Sequence, residues 1–487
     1  MKKIFLCIMD GFGYSKSEFG NATLEATNIM KLINSENTIF LKASGENVGL
    51  PQGQFGNSEV GHLTIGSGRI LKQKLPRIND AIKNHEIENI PLLNNFFKNE
   101  DNKTCHVMGL FSNGGVHSEL NHFFWAIEFL RKRKLKIKTH LFLDGRDVGF
   151  RDAYSTLGLA LQQNKINISE IATIQGRFYA MDRDKKLDRT TIAYNAIING
   201  KADYKSNDPL AIIKSFYEKD INDETMPPII INDYSGANKA DLFWMLNFRT
   251  DRIKQINKMI LDNGFSLLNM VDCGAEIDNQ AGSLFPTQYV NNNLGEILAK
   301  NNINQLRIAE TEKYAHVTYF FNGGKDIQYN NEERILISSP KVKDYAETPD
   351  MSANEITQNI LKAMEESKHE VIIVNFANPD MIGHTGDFEA TKQALKNLDI
   401  HIEKLLKKAK ETDYITILTA DHGNAENMIN KDGTPQKTHT CASVPFVSVP
   451  EIKSTRKEGT LADIAPTILH ILGLEIPSEM TGNVLVS

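Results

Sequence analysis

The stretch KIFLCIMD, Lys3 to Asp10, is a short apolar run that ends in a carboxylate. Its six apolar residues are too few for the core of a secretory signal and far too few for a membrane span. A run of this length is typical of a strand buried on both faces, as in parallel sheets covered by helices. We therefore predict a parallel strand whose carboxyl end presents Asp10.

Two later segments repeat this pattern of an apolar run closed by polar residues. EVIIVNFANPD ends in Asp380, and DYITILTADHG carries Asp421 and His422 at its end. The segment between them has apolar residues at helical spacing, and another helical pattern, EITQNILKAMEES, precedes the first. Strand, helix and strand in succession predict a βαβ unit, whose site forms outside the carboxyl ends of the strands.

The middle of the chain shows the same alternation independently. TCHVMGLFSNGGVHS, KTHLFLDGRD and IATIQGRFYAMDRD each begin as an apolar strand and end in polar residues, and helical stretches lie between them. Because Asp10 lies near one end of the chain and Asp380 near the other, a shared sheet makes the middle an insertion. The sequence predicts an α/β fold of two α/β domains, residues 1–74 plus 288–487, interrupted by an inserted domain of residues 75–287.

Composition and charge exclude several classes of protein. The chain has 487 residues, a hydrophobic content of 41%, a charged content of 24% and a net charge of −6, as expected of a globular protein of two or three domains. This mild acidity argues against nucleic-acid and membrane partners. Four dispersed cysteines without a CxxC fit a reducing cytoplasm.

A set of carboxylates and imidazoles follows the predicted strand ends of the first domain. NPDMIGHTGD offers Asp380 and His384, TADHGNAE offers Asp421 and His422, and KTHT offers His439. Such ligands suit Mn²⁺ or Zn²⁺ better than Ca²⁺. Each motif alone is weak, since a lone histidine is more often structural. Together with Asp10 and Ser58 the set is large enough for two metals that activate a nucleophile and clamp a phosphoryl group.

Ser58 lies in the glycine-rich stretch GQFGNSEVGHLTIGSGR, Gly53 to Arg69. One interpretation is a helix cap, in which Asn57 or Ser58 accepts a backbone hydrogen bond and Glu59 favours the helix dipole. The other is a serine nucleophile at a helix N-terminus that binds phosphate. In the second, the glycines make room for a metal and a phosphate at an exposed hydroxyl.

The inserted domain is rich in arginines close to strand ends. Arginine forks match carboxylate and phosphate geometry, so a small phosphorylated acid would use several of them at once. The alternative is that they are surface residues paired with neighbouring aspartates. The arginines concerned are Arg146, Arg177, Arg183, Arg249 and Arg252.

The ordered motifs resemble those of the cofactor-independent phosphoglycerate mutases. IMDGFG, GNSEVGH, GGVHS, DGRD, GRFYAMDRD, NFRTDR, AETEKYAHVTYFFNGG, NPDMIGHTG, DHGNAE and KTHT occur in that family's order, from Ile8 to about His439. The metal half is similar to the wider alkaline phosphatase superfamily, and the inserted half distinguishes the mutases. The resemblance implies a phosphatase-like metal-binding domain and an inserted phosphotransferase domain.

The resemblance also implies a role for each matching residue. Ser58 would be the nucleophile that carries a phosphoserine, Asp147 the proton carrier, and Lys313 a stabiliser of the phosphoryl group. One Mn²⁺ would be held by Asp380, His384 and His439, and the other by Asp10, Ser58, Asp421 and His422. Substrate would be held by His117, Arg146, Asp147, Arg177, Arg183, Arg249, Arg252 and Lys313.

The implied enzyme interconverts 2-phosphoglycerate and 3-phosphoglycerate in glycolysis without 2,3-bisphosphoglycerate. Two Mn²⁺ ions per chain are expected, with Co²⁺ or Zn²⁺ as substitutes. A cytoplasmic monomer with a small-molecule substrate is implied. The alternatives are a related metal-dependent phosphatase or phosphopentomutase, and a non-catalytic protein on the same fold.

Three departures from the family pattern lie near the predicted substrate residues. Asn113 stands where many relatives have Asp, Glu119 where many have His, and DGRDVGF lacks the prolines that usually follow Asp147. The metal and serine positions match throughout. The departures therefore bear on substrate contacts and leave the implied reaction class unchanged.

Overall fold

The structure is a computed structural model that describes residues 2–98, 100 and 103–487. It divides into two compact units. The discontinuous unit comprises Met1–Gln73 and Gln288–Ser487, and the inserted unit is Lys74–Thr287. Each has its own sheet and its own hydrophobic core, which confirms the predicted α/β class.

The strands of the described residues follow the chain in two groups, one for each sheet. They are β1 (Lys3–Met9), β2 (Ile39–Lys42), β3 (Thr104–Leu110), β4 (Lys136–Leu143), β5 (Ile171–Gly176), β6 (Tyr204–Ser206), β7 (Ile229–Ile231), β8 (Leu242–Met245), β9 (Ser266–Val271), β10 (Gly282–Phe285), β11 (Gln305–Glu310), β12 (Glu332–Ile337), β13 (Val371–Phe376), β14 (Tyr414–Thr419), β15 (Val444–Val449) and β16 (Glu458–Thr460).

The helices alternate with these strands over most of the chain. They are α1 (Thr27–Ile33), α2 (Ser58–Ser67), α3 (Lys74–Lys83), α4 (Pro91–Phe96), α5 (Leu120–Lys132), α6 (Ala153–Gln162), α7 (Arg177–Ala180), α8 (Leu187–Asn199), α9 (Pro209–Tyr217), α10 (Lys254–Asp262), α11 (Ala275–Asp278), α12 (Leu294–Lys300), α13 (Thr311–Ala315), α14 (Ala353–Glu366), α15 (Asn378–Gly383), α16 (Phe388–Glu411) and α17 (Ile464–Leu472).

The sheet of the discontinuous unit has the order β12-β11-β13-β1-β14-β15-β2-β16. Its centre is parallel, since β1 pairs in parallel with both β13 and β14. All side chains of β1 after Lys3 are buried, as its apolar run predicts. β15 runs antiparallel to both of its neighbours, β14 and β2. The carboxyl ends of β13, β1 and β14 therefore meet at one edge.

Helix α16 shows why the sequence folds as it does beside this sheet. Asp387 caps its first turn by accepting from the Ala390 N–H at 2.9 Å. Leu395, Leu398 and Leu405 recur on one face and are fully buried in the core of the unit. Among the described residues, no helix is both long enough and apolar enough to cross a membrane.

The sheet of the inserted unit has the order β10-β9-β8-β3-β4-β5-β7-β6. All its pairs are parallel except β5 with β7. Clusters of buried apolar side chains pack on the sheet; Trp244 belongs to the larger cluster, and the partly buried Trp125 packs against it. The carboxyl ends of β3, β4 and β5 lead to the segments that carry His117, Arg146 and Arg177.

A chain of buried polar side chains crosses the middle of this second sheet. His106 on β3 accepts at Nδ1 from His140 Nε2 at 2.8 Å, and its own Nε2 lies 3.2 Å from Asp241 Oδ2. His140 Nδ1 lies 2.9 Å from Thr173 Oγ1 on β5. Because Asp241 accepts, hydrogen bonds run in one direction from Thr173 to Asp241 when both imidazoles are neutral.

This chain predicts that the inserted unit loses stability in mild acid. Burial lowers the pKa of both histidines, and Lys138 lowers them further, although Asp241 opposes the shift at His106. The unfolded chain therefore binds more protons below about pH 6.5, and each histidine costs up to about 1.4 kcal/mol per pH unit there. Urea unfolding at pH 7.5 and pH 5, followed by tryptophan fluorescence, should show the loss.

A variant pair tests the source of this acid sensitivity. His140→Leu is expected to be less stable at pH 7.5 but to lose less stability on acidification. His85→Ala, which removes an exposed histidine paired with Glu88 in the same unit, should keep the wild-type pH dependence. Equal pH dependence in all three proteins would contradict the assignment.

Candidate active site

The order of the first sheet brings three predicted carboxylates together. Asp10 directly follows β1, Asp421 follows β14, and Asp380 lies in α15 just after β13. Because these three strands are parallel neighbours, their carboxyl ends share one edge. All three carboxylates are at least 98% buried.

Asp380, His384 and His439 form the first candidate metal cluster. The two Nε2 atoms are 2.9 Å apart, and Asp380 Oδ1 lies 3.3 Å from that of His384 and 3.2 Å from that of His439. Each Nδ1 faces a backbone carbonyl, of Lys437 at 2.8 Å and of Gly56 at 2.9 Å. Each Nδ1 therefore carries the proton, and two lone pairs and a carboxylate oxygen converge. This donor set fits a divalent cation.

Asp10, Asp421 and His422 form the second candidate cluster, and all three are fully buried. His422 Nε2 lies 3.3 Å from Asp10 Oδ1 and 3.7 Å from Asp421 Oδ2. Asp421 Oδ2 is a buried oxygen that accepts no hydrogen bond from the described residues. A buried carboxylate oxygen without a donor is costly, so this cluster also fits a cation.

Ser58 is the first residue of α2, and its hydroxyl faces the second cluster. Ser58 Oγ lies 3.1 Å from Asp10 Oδ1 and 3.0 Å from His422 Nε2. The cap of α2 is Asn57, whose side chain accepts from the Val60 N–H at 3.1 Å. The two interpretations of this stretch thus apply to neighbouring residues, with Asn57 as the cap and the Ser58 hydroxyl free for other contacts.

Two of the glycines near Ser58 lie very close to neighbouring backbone. A Cβ at Gly61 would lie 2.7 Å from the Asp421 carbonyl oxygen, and one at Gly56 would lie 2.0 Å from that of Ala43. The glycines therefore let α2 and the preceding turn pack directly on neighbouring backbone. The prediction of an exposed hydroxyl is wrong, because Ser58 is only 6% exposed.

Lys313, on α13 after β11, joins the two clusters. Its Nζ lies 2.9 Å from Asp10 Oδ1, 2.6 Å from Asp380 Oδ2 and 2.8 Å from Ser58 Oγ. Burial alone would lower the pKa of Lys313, but the surrounding aspartates raise it above its usual range. The ammonium is therefore a fixed positive charge beside the serine hydroxyl.

The predicted arginines all lie in the inserted unit, and most of them line one cavity of about 230 Å³. Arg177 is buried, whereas the side chains of Arg146 and Arg183 are about half exposed. The cavity is lined by Arg146, Arg177, Phe178, Met181, Asp182, Arg183, Asp184, Arg189, Glu224 and Arg252. Arg249 lies beside it, with Nε 3.2 Å from Asp251 Oδ1, while Arg183 Nη1 is 3.1 Å from Asp251 Oδ2.

Asp147 and His117 adjoin this cavity through Arg177 and Asp251. Arg177 Nη1 lies 2.5 Å from Asp147 Oδ2, and His117 Nε2 lies 3.8 Å from the same oxygen. His117 Nδ1 lies 3.9 Å from Asp251 Oδ1. Burial, reinforced by nearby arginines, lowers the pKa of His117 to about 4, so the ring is neutral near pH 7.

Two residues of this region were missed by sequence reasoning. Arg189 lines the cavity with its guanidinium 3.8 Å from the centroid of the Phe178 ring. Asp144 is buried, and its Oδ1 accepts from Arg177 Nη1 at 2.6 Å and from the backbone N–H of Asp147 at 3.0 Å. The sequence contained a signal for each residue, since Asp144 begins the motif DGRD and Arg189 ends the charged tract MDRDKKLDR.

Asp144→Asn is expected to weaken substrate binding. The change keeps the shape of the side chain but removes one of the two carboxylates that hold Arg177, so the guanidinium is less well oriented. A hydrogen bond to a charged group contributes about 1.5–3 kcal/mol, which corresponds to a rise in KM of about tenfold to a hundredfold. Steady-state kinetics with 3-phosphoglycerate, the substrate that the family resemblance implies, measure the effect.

Asp152→Asn is the matched control, because Asp152 follows in the same loop and accepts from Thr156 Oγ1 at 2.6 Å. Its KM should stay within about twofold of wild type. Equal KM values for the two variants would contradict a positioning role for Asp144.

The three departures from the family pattern lie on the inserted unit. Asn113 is exposed in the glycine turn after β3, and Glu119 is half-buried at the start of α5. The segment after Asp147 ends in Phe150, which is 71% exposed. Burial raises the pKa of Glu119.

Comparison with known proteins places the chain in a class of metal-dependent enzymes. The model of the metalloenzyme superfamily matches residues 2–476. A protein of Ehrlichia canis named 2,3-bisphosphoglycerate-independent phosphoglycerate mutase is 44% identical, over 99% of this chain and 98% of its own length. The protein of that name from Clostridium botulinum is 41% identical, over 100% and 99%.

A solved structure gives the same result. The crystal structure of Leishmania mexicana phosphoglycerate mutase at low cobalt concentration matches with a TM-score of 0.65 and 27% identity, over 100% of this chain and 98% of that one. The chain belongs to the family of 2,3-bisphosphoglycerate-independent phosphoglycerate mutases. It is an enzyme, and its family is one of metal-dependent isomerases.

Proposed function

We propose that the protein interconverts 2-phosphoglycerate and 3-phosphoglycerate through a phosphoserine on Ser58, with two divalent cations and without 2,3-bisphosphoglycerate. The observation that carries the proposal is the environment of Ser58 Oγ, which lies within 3.1 Å of Asp10, His422 and Lys313. A hydroxyl among a carboxylate, an imidazole and a fixed ammonium is suited to act as a nucleophile toward an anionic phosphoryl group.

The two clusters are the proposed cation sites. Asp380, His384 and His439 would hold one ion, and Asp10, Ser58, Asp421 and His422 would hold the other. Ions bound there would supply Lewis-acid chemistry, which lowers the pKa of a coordinated hydroxyl and neutralises phosphoryl charge. Mn²⁺ suits mixed carboxylate and imidazole ligands, and Co²⁺ or Zn²⁺ would be accepted as well.

The first half of the reaction transfers the phosphoryl group to the protein. The proposed substrate ligands are His117, Arg146, Asp147, Arg177, Arg183, Arg249, Arg252 and Lys313. Ser58 Oγ attacks phosphorus, the bond from phosphorus to the glycerate oxygen breaks, and the serine proton ends on that glycerate oxygen. Asp147 is the proposed carrier of this proton, while Lys313 Nζ stabilises the phosphoryl oxygens.

The second half returns the phosphoryl group to the other glycerate oxygen. After the glycerate reorients, Asp147 takes the proton from the second hydroxyl, whose oxygen attacks phosphorus. The bond to Ser58 Oγ breaks, and Asp147 delivers that proton to the serine oxygen. No proton or phosphate is gained or lost overall, so no external phosphate donor is needed.

The role of each unit follows from its residues. The discontinuous unit would be the phosphatase-like metal-binding domain, and the inserted unit would be the phosphotransferase domain that binds substrate. We propose a cytoplasmic, glycolytic monomer, in keeping with four cysteines that are free thiols. The substrate class is a small phosphorylated acid, which suits a cavity lined by five arginines.

The experiment is mass analysis of Ser58 after a brief acid quench with 3-phosphoglycerate and Mn²⁺, with 2-phosphoglycerate followed in the same tube. A phosphate adduct on Ser58 together with 2-phosphoglycerate, formed without added 2,3-bisphosphoglycerate, is the expected result. Release of inorganic phosphate without 2-phosphoglycerate would instead identify a phosphatase. A pentose phosphate as competing substrate separates a phosphopentomutase.

A further inference from the structure

Two buried polar residues outside the proposed ligand set lie behind the serine. Asn375 on β13 directs its amide nitrogen to Asp10 Oδ2 at 2.7 Å and to His62 Nε2 at 3.1 Å. His62, one turn after Ser58 on α2, places Nδ1 2.9 Å from the Ser58 carbonyl oxygen and 3.2 Å from Asp421 Oδ2. Both residues are fully buried.

The direction of these hydrogen bonds is fixed by their partners. Asp10 Oδ2 can only accept, so the Asn375 amide nitrogen faces it, and the second amide hydrogen points to His62 Nε2. The Ser58 carbonyl also only accepts, so His62 carries its proton on Nδ1 and a lone pair on Nε2. The amide oxygen of Asn375 accepts no hydrogen bond from the described residues, so both useful contacts of this side chain go through its nitrogen.

Asn375 and His62 contact only one of the two clusters, the one formed by Asp10, Asp421 and His422. Asp10 keeps Oδ1 for Ser58, His422 and Lys313, while Asn375 occupies Oδ2. Asp421 Oδ1 is held by the backbone N–H groups of Gly11 and His422, while Oδ2 faces His62. Across the described residues, neither Asn375 nor His62 forms a hydrogen bond or ion pair with Asp380, His384 or His439.

We propose that Asn375 and His62 form a positioning bridge that orients Asp10 and the Ser58 backbone for cation binding and serine attack. This inference rests on the proposed function, since it assigns the bridge to the cation site that contains Ser58. The bridge links α2 to β13, so the nucleophile is oriented by the same strand edge that carries the ligands. Neither residue is a cation ligand or touches the transferred phosphoryl group in this assignment.

The test is calorimetric titration of chelator-treated protein with Mn²⁺, combined with steady-state kinetics. Leucine is similar to asparagine in size but has no hydrogen-bond donor. In Asn375→Leu one Mn²⁺ should bind about tenfold to a hundredfold more weakly, as is typical when a hydrogen-bond partner of a metal ligand is removed. The other Mn²⁺ should bind within about threefold of wild type. kcat should fall about tenfold to a hundredfold while KM changes less than about threefold.

Further variants separate positioning from folding. His62→Gln can still accept from Asn375 and should retain more Mn²⁺ affinity than His62→Leu. Asn293→Leu is the matched control, since Asn293 is a buried asparagine of the same unit whose amide nitrogen donates to Tyr329 Oη at 2.8 Å. It should lower the thermal midpoint but leave both Mn²⁺ affinities and kcat within about twofold.

Several outcomes would overturn the inference. Unchanged Mn²⁺ binding and kcat in Asn375→Leu would remove the bridge, as would equal weakening of both Mn²⁺ ions. In either case a phosphoserine on wild-type Ser58 would leave the proposed function standing. A wild-type protein that forms no phosphoserine would overturn the proposed function and the bridge with it.

Discussion

Replacing Ser58 with alanine is expected to lower kcat for the conversion of 3-phosphoglycerate by about a thousandfold or more and to abolish the trapped phosphate adduct. Loss of a nucleophile removes the covalent route itself, which makes it one of the largest single effects on an enzyme. The fold should survive, because the Asn57 side chain caps α2 and the Ser58 carbonyl still accepts from His62.

The control for this variant lies on the same helix. Ser67 ends α2, is fully buried, and its hydroxyl donates to the Arg69 carbonyl at 3.0 Å, so Ser67→Ala removes an equivalent hydroxyl at the far end. It should keep kcat within about twofold. Mutase activity in Ser58→Ala close to that of the control would refute the phosphoserine route, whatever the metal content.

The fold could be predicted because the three central strands of the first sheet are recognisable from short local segments of sequence. The apolar runs before Asp10, Asp380 and Asp421 are short and continuous, and helical patterns separate them along the chain. In the structure they are β1, β13 and β14, which are parallel neighbours in one sheet. The position of β15, antiparallel between β14 and β2, depends on pairing between segments that are far apart in sequence. Local patterns carry little information on such pairing.

The carboxylates of the candidate site could be predicted from the sequence, but the residues that orient them could not. Ligand types at the carboxyl ends of parallel strands must meet, so Asp10, Asp380 and Asp421 could be grouped before their distances were known. Asn375 and Asp144 were missed because their roles depend on which side chain lies across the next strand or turn. A weak signal existed, since Asn375 is a polar residue inside the apolar run VIIVNF and is fully buried there.

Replacing His439 with alanine is expected to reduce bound Mn²⁺ from two ions to one per chain and to lower kcat by about a hundredfold or more. His439 supplies one of two imidazole lone pairs that face each other at 2.9 Å, and without it Asp380 and His384 are too few to hold an ion tightly. The remaining ion would be the one that we propose at the cluster around Ser58. Metal analysis after gel filtration, with activity on the same sample, measures both effects.

His401→Ala is the control for His439→Ala, because His401 is a buried histidine on α16 of the same unit, and its Nε2 lies 3.1 Å from Asp350 Oδ1. It should keep two ions and nearly full activity. A chelator should abolish activity in wild type and control alike, because it removes the proposed cations that take part in the reaction. Added Mn²⁺ should restore the activity of both proteins. If His439→Ala retains two ions, the imidazole pair is a structural contact and not part of a cation site. If the wild-type protein keeps full activity after chelation, neither cluster acts as a catalytic cation site.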